Sequence, residues 1–364
     1  MRILSAFFAI FVLFAGCSKS ASARGTGAVH FEVTDAVPLL QEEKDSGVSS
    51  EVIKLQNVLN LMSERFKAEV TVSKSDEKLF LQDLNDVLQE ESSFRSDDLS
   101  VLYLIDKKHS VSSAYVPKDL VPLGKNPLFN INRNDLSLRP DAYSALNELA
   151  GAAQKDGITL LVSSTYRSYD YQKNLFEKWV RIDGLEEAER ESARPGTSQH
   201  QLGSAIDFGS ITDDFAETEM GQWIYENASD YGWSLSFPNG YEDVTGYRWE
   251  CWHFRYIGKT ACKFQNKWFC GVQQYMLEFI DAWKKASNNL QKKAVLKSTA
   301  FFYIQCLKQS SITSPANIYF ATKFTSLSFT TTDFTICLPS RHFFAPSSFF
   351  AISIRTSSAE PLGA

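Results

Sequence analysis

The sequence lacks the features that mark several large classes of protein. Its 364 residues contain 37 lysines and arginines against 43 aspartates and glutamates, a formal net charge of −6, and no long basic run. Nucleic-acid-binding domains usually carry a basic face, so the charge pattern argues against a nucleic-acid partner. The hydrophobic fraction of 44% and the charged fraction of 22% are ordinary, and they indicate one large folded domain or two smaller ones.

The apolar run at the N-terminus is too short to cross a bilayer, which takes about 20 residues. It extends from Ile3 to Phe14 behind a positively charged start, and small residues then precede Cys17. This pattern is typical of a secretory signal peptide, and the cysteine makes it resemble a bacterial lipoprotein signal. We expect residues 1–16 to be a signal peptide, Cys17 to be lipidated, and the protein to be anchored to a membrane in the periplasm or cell envelope. A plain signal peptide with an incidental cysteine is the alternative.

Cysteine is scarce, and its spacing matches no zinc knuckle. Export would permit disulfides, but lipidation of Cys17 would leave an odd number of the six cysteines. Cys262 and Cys270 are near enough in sequence to close a short loop. A bridge between them and two free thiols both stay open.

Hydrophobic periodicity divides the chain into four regions. After the signal peptide, residues 17–100 read as a tether and a small helical or αβ spacer, with helices at 51–66 and 79–88 and a short strand at 68–72. A second folded region covers 101–285. Residues 286–364 contain a helix end and then a tail rich in Ser, Thr and Phe, which we expect to be poorly ordered.

Strands and helices interleave irregularly in the region 101–285. The patterns predict strands at 101–105, 158–164, 202–208 and 247–256, and helices at 142–153, 171–180, 223–231 and 277–297. Regular βαβ alternation is missing, so the pattern favours an α+β fold with an antiparallel sheet and flanking helices.

Two short segments carry the residue types of a catalytic metal site. His200 and Asp207 stand on either side of a glycine-containing turn, and Glu250 precedes His253 by three positions. A catalytic zinc site needs three protein ligands and an open position for water. His200, Asp207 and His253 would supply the ligands, and Glu250 a general base. A regular strand would send Glu250 and His253 to opposite faces, so we expect a bend between them.

These segments resemble a known family. The pattern S-x-H-x-x-G-x-A-x-D at Ser198–Asp207, followed by E-x-W-H at Glu250–His253, resembles the VanY-type D-alanyl-D-alanine carboxypeptidases. That type belongs to the LAS metallopeptidases, which also include lysostaphin and the hedgehog fold. The likeness covers roughly residues 101–280 and includes a Y-R-S segment at Tyr166–Ser168.

The resemblance implies a role for each residue of the pattern. His200, Asp207 and His253 would bind Zn²⁺, and Glu250 would be the catalytic base. Arg167 would polarise the attacked carbonyl or hold the substrate carboxylate. Substrate contacts are expected from three further residues, which are Ser198, Gln172 and Trp252.

The implied substrate is a peptidoglycan stem peptide ending in D-alanine. An L,D-carboxypeptidase or a peptidoglycan endopeptidase of the same fold is an alternative, as is a lipoprotein that binds zinc without catalysis. The serine carboxypeptidases that act on the same bond are excluded, because the Ser-Asp-Asn and Lys-Thr-Gly motifs that accompany their Ser-x-x-Lys are missing.

Overall fold

The structure is a computed structural model that describes residues 49–94, 99–309, 333–339 and 349–355, with side chains described as far as residue 291. The signal peptide and Cys17 lie outside the described residues. The helices are α1 Ser50–Leu61, α2 Glu64–Glu69, α3 Glu77–Ser93, α4 Pro140–Lys155, α5 Tyr169–Glu191, α6 Glu219–Asn227, α7 Glu242–Thr245, α8 Lys259–Trp268 and α9 Gln273–Gln309. The strands are β1 Val121–Pro122, β2 Phe129–Ile131, β3 Ser137–Leu138, β4 Leu160–Ser164, β5 Ala205–Phe208, β6 Trp233–Leu235, β7 His253–Tyr256, β8 Asp333–Pro339 and β9 Phe349–Arg355.

Hydroxyl side chains start several of the helices. Ser49, Ser63, Ser168 and Thr218 each accept a hydrogen bond from a backbone N–H in the first turn of α1, α2, α5 and α6. Such caps satisfy donors that have no partner within the helix. The predicted helices at 142–153 and 171–180 are confirmed as parts of α4 and α5.

A five-stranded mixed sheet lies at the centre of the fold, in the order β2-β4-β5-β7-β6. Neighbouring strands are antiparallel except β2 and β4, which are parallel. The predicted α+β class is confirmed, and the expected antiparallel sheet has a parallel strand at one edge. Strands β5 and β7 are buried along their whole length, so side chains on both of their faces are covered.

Four of the five predicted strands differ from the structure, and in one of them, 202–208, β5 occupies only the last four residues. Residues 68–72 are the end of α2 and an extended connection, and β7 occupies only the last part of 247–256. Val101, Leu102, Leu104 and Ile105 are buried, yet their segment is a turn followed by residues without regular secondary structure. The guanidinium of Arg255 donates to the carbonyls of Val101 and Tyr103, at 2.8 and 2.7 Å. These carbonyls are thus satisfied by a side chain instead of a neighbouring strand.

Helices α1–α3 share one hydrophobic core with the sheet and with α8 and α9. Phe80 of α3 lies 5.0 Å from Phe264 and 5.2 Å from Phe279, measured between ring centroids. Residues 49–94 are therefore not a separate spacer, because they belong to the same compact unit as the other described residues up to Gln291.

A second compact unit begins at Lys292, close to the boundary expected at 286. Its described parts are the last turns of α9 and a hairpin in which β8 pairs antiparallel with β9. Among the described helices, none is both long enough and apolar enough to cross a bilayer. Cys262 and Cys270 are free thiols, so the bridge considered for them is not formed.

Candidate metal centre

His200 is held by a 3₁₀ turn at Gln199–Leu202, between α5 and β5. The turn ends at Gly203, whose φ of 67° lies in the left-handed region. The Nδ1 atom of His200 lies 2.6 Å from the carbonyl oxygen of Thr165, the residue after β4. A carbonyl only accepts, so Nδ1 carries the proton and Nε2 presents a lone pair.

Asp207 and His253 face each other across β5 and β7, where they are register partners. The next pair contains a ladder hydrogen bond from the Phe208 N–H to the Trp252 carbonyl. Asp207 and His253 are consequently a non-hydrogen-bonded pair, the type in which side chains come closest. Nδ1 of His253 lies 2.9 Å from Oδ1 of Asp207.

The three side chains converge in the interior. Their ligand atoms all lie within 4.8 Å of one another, and each residue is at most 4% exposed. Nε2 of His200 is 3.2 Å from Oδ2 of Asp207, yet it has no hydrogen-bond partner. Two lone pairs thus face each other in a buried place, and a bound cation would satisfy both. The donor set fits a metal ion.

Electrostatics keep the side chains of His200 and Asp207 in the protonation states that can bind a metal. Burial, with the positive charge of Arg167, lowers the pKa of His200 to about 4. Burial alone would raise the pKa of Asp207, but the neighbouring imidazoles of His200 and His253 bring it well below its usual value. A neutral imidazole and an ionised carboxylate are the states that bind metal.

Glu250 lies on the same side as His253 because the chain turns at residues 251–252 before β7 begins. The bend expected from the sequence is confirmed. Oε2 of Glu250 lies 3.7 Å from Nδ1 of His253, and the residue is 8% exposed. Burial, and then the negative charge of Asp207, raise the pKa of Glu250 well above its usual value. A carboxyl group of this kind suits proton transfer near neutral pH.

Arg167 brings a positive charge to the same place. It follows β4, and its N–H donates to the His200 carbonyl at 3.3 Å. Its side chain is half-buried, and its Nε is buried without a hydrogen-bond partner. Burial lowers the pKa of Arg167, while the charges of Asp207 and Glu250 oppose that shift. An unsatisfied guanidinium N–H can donate to a substrate oxygen.

A cleft of about 650 Å³ opens onto these five residues. Ser198 and Trp252, both expected to touch substrate, line it and are mostly buried. Gln172 is not among the lining residues. Its Nε2 donates to Ser192 and Ala193 at 3.2 and 2.7 Å, and both of these line the cleft. Gln172 therefore supports the cleft wall, and direct substrate contact stays a prediction for it.

Two residues of the site have no signal in the sequence. Gln199 accepts a hydrogen bond from Ser236 at 2.7 Å and lies 3.1 Å from Nε2 of His253. Tyr247 lines the cleft and is 5% exposed. A glutamine and a tyrosine have many structural uses, so only the fold identifies these two as neighbours of the site.

Comparison with known proteins identifies the family of the central segment. Residues 135–259 match the family model VanY, described as D-alanyl-D-alanine carboxypeptidase. The segment includes His200, Asp207, Glu250, His253 and Arg167. The resemblance of the two motifs to that family is confirmed.

Individual relatives carry related names. The chain is 36% identical over 170 residues to the putative carboxypeptidase YodJ of Bacillus subtilis (strain 168), covering 45% of this chain and 62% of that protein. It is 26% identical over 223 residues to a D-alanyl-D-alanine carboxypeptidase of Enterococcus faecium, covering 60% of this chain and 69% of that protein. The solved LdcB LD-carboxypeptidase aligns with 32% identity and a TM-score of 0.44, over 50% of this chain and 92% of that one.

Proposed function

Because residues 135–259 form a domain of the VanY family, we propose that this protein is a zinc-dependent D-alanyl-D-alanine carboxypeptidase. Its substrate would be a peptidoglycan stem peptide that loses its terminal D-alanine. The observation that carries the proposal is the buried convergence of His200, Asp207 and His253 beside Glu250. All four residues open onto one cleft.

Zinc is the metal that suits the donor set. Two imidazoles and one carboxylate are a common combination in catalytic zinc sites, which leave a fourth position for water. Bound there, zinc would lower the pKa of a water molecule to about 7 and polarise the attacked carbonyl.

Glu250 is proposed as the general base and acid. Its carboxylate takes a proton from the attacking water and passes it to the amine of the departing D-alanine. Its position close to His253 supports this role, because a general base must lie beside the metal ion that would hold the attacking water.

Arg167 is proposed to bind a substrate oxygen. Its buried Nε without a hydrogen-bond partner supports this role, since a bound carboxylate or carbonyl would satisfy it. Ser198 and Trp252 belong to the same cleft and would contact the terminal residues of the stem peptide.

The test measures D-alanine released from purified pentapeptide and tetrapeptide stems, with and without a zinc chelator. Release from pentapeptide that stops with chelator and returns with zinc is the expected result. Release from tetrapeptide alone would identify an L,D-carboxypeptidase. A protein with one zinc per chain that releases D-alanine from neither would be an endopeptidase or a zinc-binding module, and the proposal would fail.

The role of Glu250 has its own test. Glu250→Gln should lower kcat by about 10²–10⁴-fold, the usual contribution of a positioned acid or base, while zinc stays at one per chain by elemental analysis. Glu278→Gln is a matched control, because burial also raises the pKa of Glu278 but the residue does not line the cleft. Near wild-type kcat in Glu250→Gln would contradict the assignment.

Export and lipid anchoring complete the proposal. They rest on the N-terminal pattern that ends at Cys17, and they would bring the enzyme to its substrate. Mass spectrometry of the mature N-terminal peptide checks them, and an unmodified Cys17 would restrict the proposal to an enzyme without this anchor.

A further inference from the structure

We infer that Gln199 is a positioning residue for the metal site, one that holds the proton of His253 on Nε2 and keeps Nδ1 as a metal ligand. The inference rests on the proposed zinc centre. It concerns an uncharged residue that the two sequence motifs leave unassigned.

The contacts of His253 raise the question of its proton. Nδ1 lies 2.9 Å from Oδ1 of Asp207, and Nε2 lies 3.1 Å from Oε1 of Gln199. Both of these oxygen atoms are acceptors, whereas a neutral imidazole has a single N–H to donate. One of the two ring nitrogens must therefore face an oxygen with its lone pair, unless a cation lies on that side.

The orientation of the Gln199 amide follows from its other neighbours. Ser236 donates to Oε1 of Gln199 at 2.7 Å, and Nε2 of Gln199 donates to Oε1 of Gln273 at 3.4 Å. Gln273 in turn donates its own Nε2 to the carbonyl of Ser234 at 3.3 Å. Rotating the Gln199 amide would bring two amide oxygens together, so Oε1 stays towards His253.

The proton of His253 then has one favourable position. With Gln199 presenting an acceptor, Nε2 must donate, and Nδ1 is left with its lone pair directed at Asp207. Histidines that bind metals usually donate their second N–H in this way, which fixes both tautomer and ring orientation. His200 does the same with the opposite nitrogen, through Thr165.

The acceptor is rigidly supported. Gln199, Ser236 and Gln273 are 7%, 2% and 1% exposed, so water does not compete for their hydrogen bonds. Gln273 is the first residue of α9 and Ser236 follows β6. The amide of Gln199 is thus fixed from two separate elements, and its oxygen cannot turn away without leaving buried groups unpaired.

The test compares zinc affinity in variants of Gln199 by competition with a chromogenic chelator. Gln199→Met has a similar unbranched shape but no acceptor, and it should bind zinc about 10–100-fold more weakly than wild type. Gln199→Glu keeps an oxygen at the same reach and should bind zinc at least as tightly as wild type.

Gln201→Met is the matched control. Gln201 lies in the same 3₁₀ turn and is fully buried, and its side-chain amide donates to the carbonyls of Ser112 and Tyr115 at 3.2 Å each instead of to a histidine of the site. Its substitution should leave zinc affinity unchanged. Equal losses in the Gln199 and Gln201 variants would assign the effect to general damage of the turn and overturn the inference.

The proton itself is observable in long-range ¹H–¹⁵N spectra of the zinc-bound wild-type protein, which needs no variant to fold. We expect His253 to be protonated on Nε2, and a proton on Nδ1 would overturn the inference. If the wild-type protein binds zinc but releases no D-alanine, the proposed function fails. The zinc affinities of the variants and the tautomer of His253 would still test the role of Gln199. Wild type that binds no zinc would defeat the metal centre and this inference together.

Discussion

Asp106 keeps a carboxylate almost completely buried at the edge of the cleft. It is 7% exposed and accepts hydrogen bonds from the backbone N–H groups of Lys108 and His109 and from the amide of Gln274. Burial alone would raise its pKa, but the hydrogen bonds from Lys108, Gln274 and His109 outweigh burial and lower the pKa below its usual value. The folded state therefore favours the ionised form of Asp106.

The stability of the protein should depend on this carboxylate in a defined pH range. A depressed pKa stabilises the fold above the unfolded value of about 3.9, and this contribution is lost as pH falls through the folded value. Asp106→Asn should lower the free energy of unfolding by about 1–3 kcal/mol at neutral pH. The difference from wild type should shrink in strong acid, as measured by urea denaturation across pH.

Asp135→Asn is the control for that measurement. Its side chain is 63% exposed and pairs with Arg133 at the surface, and such pairs contribute about 0–1 kcal/mol. A loss in Asp106→Asn that is the same at every pH would mean that packing, and not charge, is responsible.

Residue identity alone predicts the candidate ligands, which the structure brings together, but it does not predict the side chains around them. His200, Asp207 and His253 have chemistry that few other roles require together, so their spacing was informative. Gln199 acts through one carbonyl oxygen, and nothing in the sequence separates it from a surface glutamine. Only the fold, which places Ser236 after β6 and Gln273 of α9 around its amide, identifies its role.

The connection between the turn that holds His200 and strand β5 requires glycine at one position. Gly203 connects the turn that holds His200 to the strand that holds Asp207, with φ at 67°. A Cβ there would lie 3.0 Å from Leu120 and 3.2 Å from Arg139 and Pro117. Both the backbone conformation and the space thus favour glycine.

Gly203→Ala should be more damaging than a matched glycine elsewhere. Gly157 has φ of 81° and nothing within 4 Å of an added Cβ, so Gly157→Ala should cost only the backbone term of about 1–2 kcal/mol. Gly203→Ala should cost roughly 1–3 kcal/mol more through crowding and should also weaken zinc binding. Equal unfolding energies and zinc affinities in the two variants would contradict this reading.

Element type was predictable where periodicity extended over several turns, as in α4 and α5. It was not predictable at Val101–Ile105, whose apolar run has the length and burial of a strand. The difference lies in Arg255, more than 150 residues further along the chain, which supplies the hydrogen bonds that a neighbouring strand would have given. Local sequence carries no record of such a partner.

At the scale of the molecule, the first compact unit contains everything that the proposed reaction needs. It ends at Gln291 and includes the cleft, the candidate ligands and the shared core. A protein truncated after Gln291 should therefore keep one zinc per chain and a kcat/KM close to that of the full chain. Loss of zinc or activity in the truncated protein would show that residues 292–364 contribute to the site.

Removal of the N-terminal helices α1–α3, in contrast, should destabilise the first compact unit. Phe66 and Phe80 come from α2 and α3, and they pack against Phe269 at ring-centroid distances of 6.0 Å each. The N-terminal helices thus complete a core whose remaining walls are α8 and α9. They belong to the folding unit although the family match begins only at residue 135.

The pairing of Asp207 with His253 across β5 and β7 also checks the assembly of the sheet. A slip of one residue between these strands would send the two side chains to opposite faces. A slip of two residues would keep them on one face but separate them by roughly 7 Å along the strands. Only the native alignment offers both ligands to one ion, so metal uptake would report that the central strands have found their correct partners.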